Sequence, residues 1–297
     1  MSESAPYRSV MITMRDGLRV HARDYEGNPA LTPVLCLPGL SRTARDFEAL
    51  ADHLAGHKHR PRRVVVLESR GRGQSEHDRN WENYSPLVEA QDALDTIVAL
   101  SIDPAVIVGT SRGGILAMLM AAMRPGVFAG CVMNDIGPVI EMQGLARIKN
   151  HLSGDNRVRD WAQAVDAVRK SMAPQFPGFD AADWEKYARA TYAETPDGPV
   201  RDFDPAIMKP MAGIDFREKM PPLWPQFAGL RHVPLMVIRG ALSDILSAET
   251  VTQMGRLHPR LEAIEVAGQG HAPILDGAQL LARISGFVTG TDRAKAA

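Results

Sequence analysis

Val106-Ile107-Val108-Gly109-Thr110-Ser111-Arg112-Gly113, followed after Gly114 by Ile115-Leu116-Ala117-Met118-Leu119-Met120-Ala121-Ala122, is the stretch on which the fold turns. The β-branched apolar run reads as a buried strand and the apolar run after it as a buried helix. Between them lies G-x-S-x-G, the nucleophile elbow, in the setting that this motif requires. A chain that passes from strand to helix in about two residues forces its serine into strained backbone geometry and tolerates only hydrogen as the neighbouring side chain. Gly109 and Gly113 supply that clearance. The strain presents the hydroxyl at the carboxyl end of a sheet, and the helix amino terminus offers backbone donors and positive potential to an oxyanion.

Outward from the elbow, strand-like runs lie near residues 9–14, 18–25, 33–38, 63–68, 104–109, 129–134, 233–239 and 261–267. Helical patterns separate the later ones, which implies parallel pairing. Asp16-Gly17 reads as the turn of a hairpin that joins the first two runs at an antiparallel edge. Ser85-Pro86 reads as the cap and first turn of a helix that places Leu87, Ala90, Leu94, Ile97 and Val98 on one face. From Pro138 to Leu230 the alternation breaks, and this stretch holds ten of the 21 prolines and ten of the 17 Trp, Tyr and Phe residues. Helical pieces near 141–151, 157–172 and 180–193, then a proline-punctuated 204–229, predict a helical lid. Most of its aromatics should form its own small core while some face the serine. The division expected is a core of residues 1–136 and 231–297 with an insertion of 137–230. The polar tail of residues 289–297 is expected to fray.

Composition narrows the classes of function. The 34 basic and 35 acidic residues leave a formal charge of −1, so no global field recruits nucleic acid or anionic membrane. Cys36 and Cys131 each lie in strand-like runs and are expected as buried reduced thiols. Met1-Ser2-Glu3-Ser4-Ala5-Pro6 lacks the apolar stretch of a signal peptide, and no run reaches the ~20 apolar residues of a membrane span. The Asn83-Tyr84-Ser85 match to a glycosylation acceptor is then read as chance. A cytoplasmic protein acting on a small molecule is expected, with a homodimer left open. His53, His57 and His59, with Arg60, Arg62 and Arg63 behind them, lack a carboxylate partner and read as a solvated face rather than a metal or anion site.

A serine hydroxyl needs a histidine to take its proton and an acid to orient that histidine. Asp244 follows the strand-like Leu235-Met236-Val237-Ile238-Arg239-Gly240, and His271 follows Ala263-Ile264-Glu265-Val266-Ala267 through Gly268-Gln269-Gly270. With these residues the chain resembles the α/β-hydrolase superfamily, and the resemblance runs nearly end to end. Its members pair an R-G-x-x-S-D turn with a G-x-G-H loop, here Arg239 to Asp244 and Gly268 to His271. The resemblance implies a mostly parallel, doubly wound α/β sheet with an antiparallel amino-terminal edge hairpin and a helical lid. It implies Ser111 as nucleophile, Asp244 as orienting acid, His271 as general base, and the backbone amides of Leu40 and Arg112 as oxyanion donors. Where members commonly have His-Gly, this chain has Pro38-Gly39, which leaves the amide donor in place. Glu68-Ser69-Arg70-Gly71-Arg72-Gly73-Gln74-Ser75 resembles the family's D-x-R-G-x-G-x-S loop with Glu68 for Asp. As a dinucleotide loop it fails, because the third glycine is absent and no helix pattern follows at once.

Asp135, in Asn134-Asp135-Ile136-Gly137-Pro138, also stands at a strand end and is the alternative acid; some members of the superfamily draw their acid from that strand. The activity expected is hydrolysis of a carboxylic ester, lactone or thioester of a small, largely apolar substrate through an acyl-enzyme, without metal or cofactor. Hydrolysis of a carbon–carbon bond in a diketone-type ring-fission product is the runner-up, since lidded members use the same residues for it. A ligand receptor on the same scaffold with negligible turnover is the alternative from another class. Dehalogenase and epoxide-hydrolase chemistry require an aspartate where Ser111 stands.

Overall fold

The computed structural model describes residues 5–153 and 157–295, with side chains as far as residue 292. The strands in chain order are β1 (Tyr7–Thr13), β2 (Arg19–Tyr25), β3 (Val34–Leu37), β4 (Val64–Glu68), β5 (Ala105–Thr110), β6 (Phe128–Asn134), β7 (Tyr192–Ala193), β8 (Val200–Arg201), β9 (Leu235–Gly240) and β10 (Leu261–Val266). Eight of them form one sheet in the order β1-β2-β4-β3-β5-β6-β9-β10, and β7 and β8 form a separate antiparallel pair. All eight strand-like runs of the sequence are in the large sheet. The β1–β2 hairpin turns through Gly17 at φ 87°, and β2 also runs antiparallel to β4. Every other pairing in the sheet is parallel.

Helices α1 (Glu48–Ala55), α2 (Pro86–Leu100) and α3 (Arg112–Met123) lie between the early strands, and α4 (Met142–Ser153), α5 (Trp161–Met172), α6 (Ala181–Thr191), α7 (Lys209–Ala212) and α8 (Trp224–Ala228) between β6 and β9. Helices α9 (Ala248–Leu257) and α10 (Ala278–Lys295) complete the chain. The sheet is covered on both faces, and alternation along its strands shows this directly. Leu35, Leu37, Val65 and Leu67 join the cluster built on α2 and α3, whereas Val34, Cys36, Val64 and Val66 join the one built on α1 and α10. Cys36 and Cys131 are buried free thiols.

Two local expectations are corrected. In α2, Ala90, Leu94 and Ile97 are buried, but Leu87 and Val98 are 53% and 60% exposed. The buried face instead includes Glu89 and Asp92, because Arg72 and Arg112 bind Glu89 and Arg70 binds Asp92. Buried arginines, rather than apolar spacing alone, thus choose how α2 is rotated. At the carboxyl end, α10 continues to Lys295 instead of fraying at residue 289. Thr291 is buried, and Asp292 accepts from the Arg62 and Arg60 guanidiniums and from the Thr32 amide. Residues 296–297 of that tail, like residues 1–4 at the other end, lie outside the described residues.

The segment between β6 and β9 has its own core, in which Ala164, Val168, Phe176, Trp184, Ala188 and Tyr192 are buried together. Phe176 stacks on Phe179 at 4.6 Å, and Phe179 meets Trp184 edge-on at 5.0 Å. Its last helix, α8, is different, since Phe227 and Leu230, which lies just beyond the helix end, belong to the main core. Among the described residues, no helix is long and apolar enough to cross a membrane.

Candidate active site

Ser111 sits between β5 and α3 at φ 51°, ψ −111°, a left-handed conformation that L-residues rarely adopt. The turn closes because its glycines lack side chains. A Cβ on Gly113 would lie 1.9 Å from the Leu37 carbonyl oxygen, and one on Gly109 would lie 2.5 Å from the Gly113 backbone. The strain is held by long-range bonds, among them Ser111 N–H to the Asn134 carbonyl at 3.0 Å.

The Ser111 hydroxyl is 2.7 Å from His271 Nε2, and His271 Nδ1 is 2.7 Å from Asp135 Oδ2. Asp135, not Asp244, occupies the place behind the histidine. It is fully buried at the end of β6, with φ 55°, and accepts from the Gly240 amide at 2.7 Å and the Ser243 hydroxyl at 2.6 Å. A carboxylate so deep in the protein requires this number of donors. Asp244 turns the other way. Its two oxygens receive Arg147 Nε and a terminal nitrogen at 2.5 and 2.7 Å, so α4 captures it in a two-pronged pair. Burial works to raise the pKa of Asp244, but the Arg147 hydrogen bonds and charge outweigh it and hold the carboxyl below its ordinary value. The contact anticipated between Asp244 and His271 is therefore replaced by one to Asp135, because an arginine from the segment above the sheet engages Asp244.

Gln175, a residue that the sequence did not single out, links these parts. Its side-chain oxygen accepts from the His271 amide at 2.8 Å and its backbone carbonyl from the Gly270 amide at 2.6 Å. A side-chain Cβ on Gly270 would collide with Gln175, so the G-x-G-H loop is shaped around it. No local pattern marks a glutamine so distant in sequence.

Leu40 follows Gly39, where a Cβ would lie 3.9 Å from Ser111 Cβ, and Arg112 is the first residue of α3. Among the described residues, neither backbone N–H donates a hydrogen bond. A buried charge network fixes both residues. Arg72 Nε donates to the Leu40 carbonyl at 2.7 Å and its terminal nitrogen to Glu89 at 2.7 Å, while the other Glu89 oxygen receives Arg112 Nε at 2.8 Å. Burial would raise the pKa of Glu89, but the charges of Arg112 and Arg72 hold it below its usual range. Glu68, the longer acid in the D-x-R-G-x-G-x-S-like loop, accepts from His21 and from the amides of Ala44 and Gln74. Gly73, at φ 55°, makes room for it, since a Cβ there would lie 2.2 Å from that carboxylate.

Ser111 and His271 open into a cavity of about 870 Å³. Apolar lining comes from Leu40, Ile148, Leu152, Phe179, Phe203 and Ile274, and the polar lining includes Arg42, Arg147, His151 and Arg201. The aromatics of the upper segment thus divide. Trp184 and Phe176 fill its core, while Phe179 and Phe203 face the cavity.

Residues 34–284 match a family model described as the alpha/beta hydrolase family. The 3-hydroxybutyrate-oligomer hydrolase of Cupriavidus necator is 28% identical over 94% of this chain and 97% of its own length. The 2-(acetamidomethylene)succinate hydrolase of Mesorhizobium japonicum is 24% identical over 70% of this chain and 71% of its own. Among solved structures, an alpha/beta hydrolase from Novosphingobium aromaticivorans is 37% identical with a TM-score of 0.87, covering 97% of this chain and 99% of that one.

Proposed function

The chain belongs to the alpha/beta hydrolase family and is an enzyme of hydrolase type, and on that footing we propose that it cleaves a carboxylic ester through an acyl-enzyme formed on Ser111. The observation that carries this reading is the 2.7 Å contact between the strained Ser111 hydroxyl and His271 Nε2 at the floor of the cavity. Ser111 Oγ attacks the acyl carbon and its proton passes to His271. Asp135 keeps the Nδ1 proton in place and stabilises the imidazolium that forms. The amides of Leu40 and Arg112 receive the developing oxyanion, for which removal of one donor in comparable sites costs about 3 kcal/mol. His271 then protonates the departing alcohol, and water repeats the sequence in reverse to free the acid.

Residues 137–230 serve in this reading as a cap that limits what reaches Ser111, on a core of residues 1–136 and 231–297. A short ester of a hydroxy acid suits the cavity best, because apolar side chains and arginines share its lining. The likeness to a 3-hydroxybutyrate-oligomer hydrolase supports the same class. The reading is tested by labelling with a fluorophosphonate and locating the modified residue by mass, beside turnover of p-nitrophenyl butyrate. Label on Ser111 with sustained turnover is expected. A burst that stops after one equivalent would favour a receptor, and label elsewhere would end the mechanism.

A further inference from the structure

We propose that the cavity beside Ser111 contains a carboxylate subsite centred on the Arg201 guanidinium, so that its preferred esters carry a free carboxylate; this rests on the ester-hydrolase reading and names its substrate class. The arginines around the cavity differ in how their charge is met. Arg42 is closed by both oxygens of Asp46, Arg147 by both oxygens of Asp244, and Arg45 by Asp202. Arg201, on β8, has no carboxylate within ion-pair distance among the described residues. Its terminal nitrogens donate to the carbonyls of His151 at 3.0 Å and Leu152 at 3.3 Å, its Nε is buried without an acceptor, and its guanidinium lies over the Phe203 ring. Those two carbonyls end α4, and a helix terminus carries only about half an elementary charge. A net positive charge therefore remains in a wall that a ligand reaches, and a planar guanidinium matches a carboxylate better than any other side chain does.

The position suits a substrate bound across Ser111. Phe203, under the guanidinium, packs in one cluster with Leu40 and Leu152, and Leu40 follows Gly39, where a Cβ would lie 3.9 Å from Ser111 Cβ. Arg201, Leu40 and Ser111 line the same cavity, so one ligand can meet the guanidinium and the proposed oxyanion donors together. His151 lines the same wall as these arginines. Burial, and then the charges of Arg201, Arg147 and Arg42, lower its pKa to about 4. The neutral imidazole leaves the arginines as the cations that an anion meets.

Binding to the Ser111→Ala protein tests the subsite without relying on turnover. The probes are the linear dimer of 3-hydroxybutyrate and the same dimer with its terminal carboxyl converted to the primary amide, compared by calorimetry. The acid is expected to bind about tenfold more tightly, the effect of one charge-assisted hydrogen-bond pair. Adding Arg201→Gln brings the two affinities within about twofold, while Arg201→Lys keeps the preference for the acid. The acid, and not the amide, moves the His151 imidazole titration to higher pH. Equal affinities with Arg201 in place would overturn the subsite, as would a preference that survives Arg201→Gln; the first comparison decides even if that variant does not fold. A retained preference for the acid in a protein that cleaves no ester would support the subsite and count against the ester reading. Cleavage of neutral esters alongside equal affinities would do the reverse.

Discussion

Asp135 and Asp244 stand at the carboxyl ends of β6 and β9, which are neighbours in the sheet, so either was within reach of His271. Ser111, His271, Leu40 and Arg112 were legible as candidates because each depends on a short loop whose glycines and strand flanks are local in sequence. The choice of acid was not, because it is made by Arg147, 97 residues before Asp244, and by Ser243, which bonds Asp135 across 108 residues. Gln175 was invisible for the same reason, bonding His271 across 96 residues. At this scale Gln175→Ala is expected to lower kcat about tenfold with little change in KM, because the His271 amide loses its side-chain acceptor while the Gly270 bond to the backbone carbonyl of residue 175 and the cavity wall remain. A steady-state comparison on a p-nitrophenyl ester checks it, and a change confined to KM would contradict that role.

The elements were the most legible level, since strand and helix periods are written directly in burial. The exception, the rotation of α2, shows where periodicity fails. An acid at a buried position reads as solvent-facing unless its arginine partner is known, and Glu89 finds two, Arg72 and Arg112. Glu89→Gln leaves two guanidiniums with one neutral partner, and is expected to cost about 3 to 5 kcal/mol of stability. It should also slow acylation, because Arg72 positions the Leu40 carbonyl. Denaturant unfolding and burst kinetics read the two effects separately. In the elbow, Gly113→Ala places a methyl group against the Leu37 carbonyl and is expected to cost about 3 kcal/mol. An unfolding midpoint equal to that of the parent would show that the elbow is looser than described.

For the whole molecule, the segment between β6 and β9 is fastened to loops that follow strands of the sheet. Arg147 grips Asp244, Gln175 holds the His271 loop, and Tyr84 donates to Asp204. The break in alternation and the prolines marked the stretch between β6 and β9 in the sequence, but these fastenings were not legible, since they join residues far apart in sequence. They also give the molecule a pH signature. Partial burial, and then the charges of Arg201, Arg147 and Arg42, lower the His151 pKa to about 4 in the folded protein, against about 6.5 when unfolded. Between these values the unfolded chain binds the extra proton, so stability rises with pH across the window and is lost as pH falls from 6.5 toward 4. The melting temperature should drop over that range, and drop less in His151→Gln. Parallel curves for the two proteins would contradict the assignment.

The proposed mechanism has Ser111 act through His271 with Asp135 as the orienting acid. The measurement that meets it most directly is the rate of acyl-enzyme formation in Asp135→Asn and Asp244→Asn, each checked for an intact fold by circular dichroism. Asp135→Asn is expected to lose about 10³- to 10⁴-fold, as an amide in that place favours the wrong imidazole tautomer. Asp244→Asn is expected to remain within about tenfold of the parent and to lose about 1 kcal/mol of stability through its weakened pair with Arg147. The opposite ranking, with Asp244→Asn inactive and Asp135→Asn near the parent rate, would make Asp244 the orienting acid.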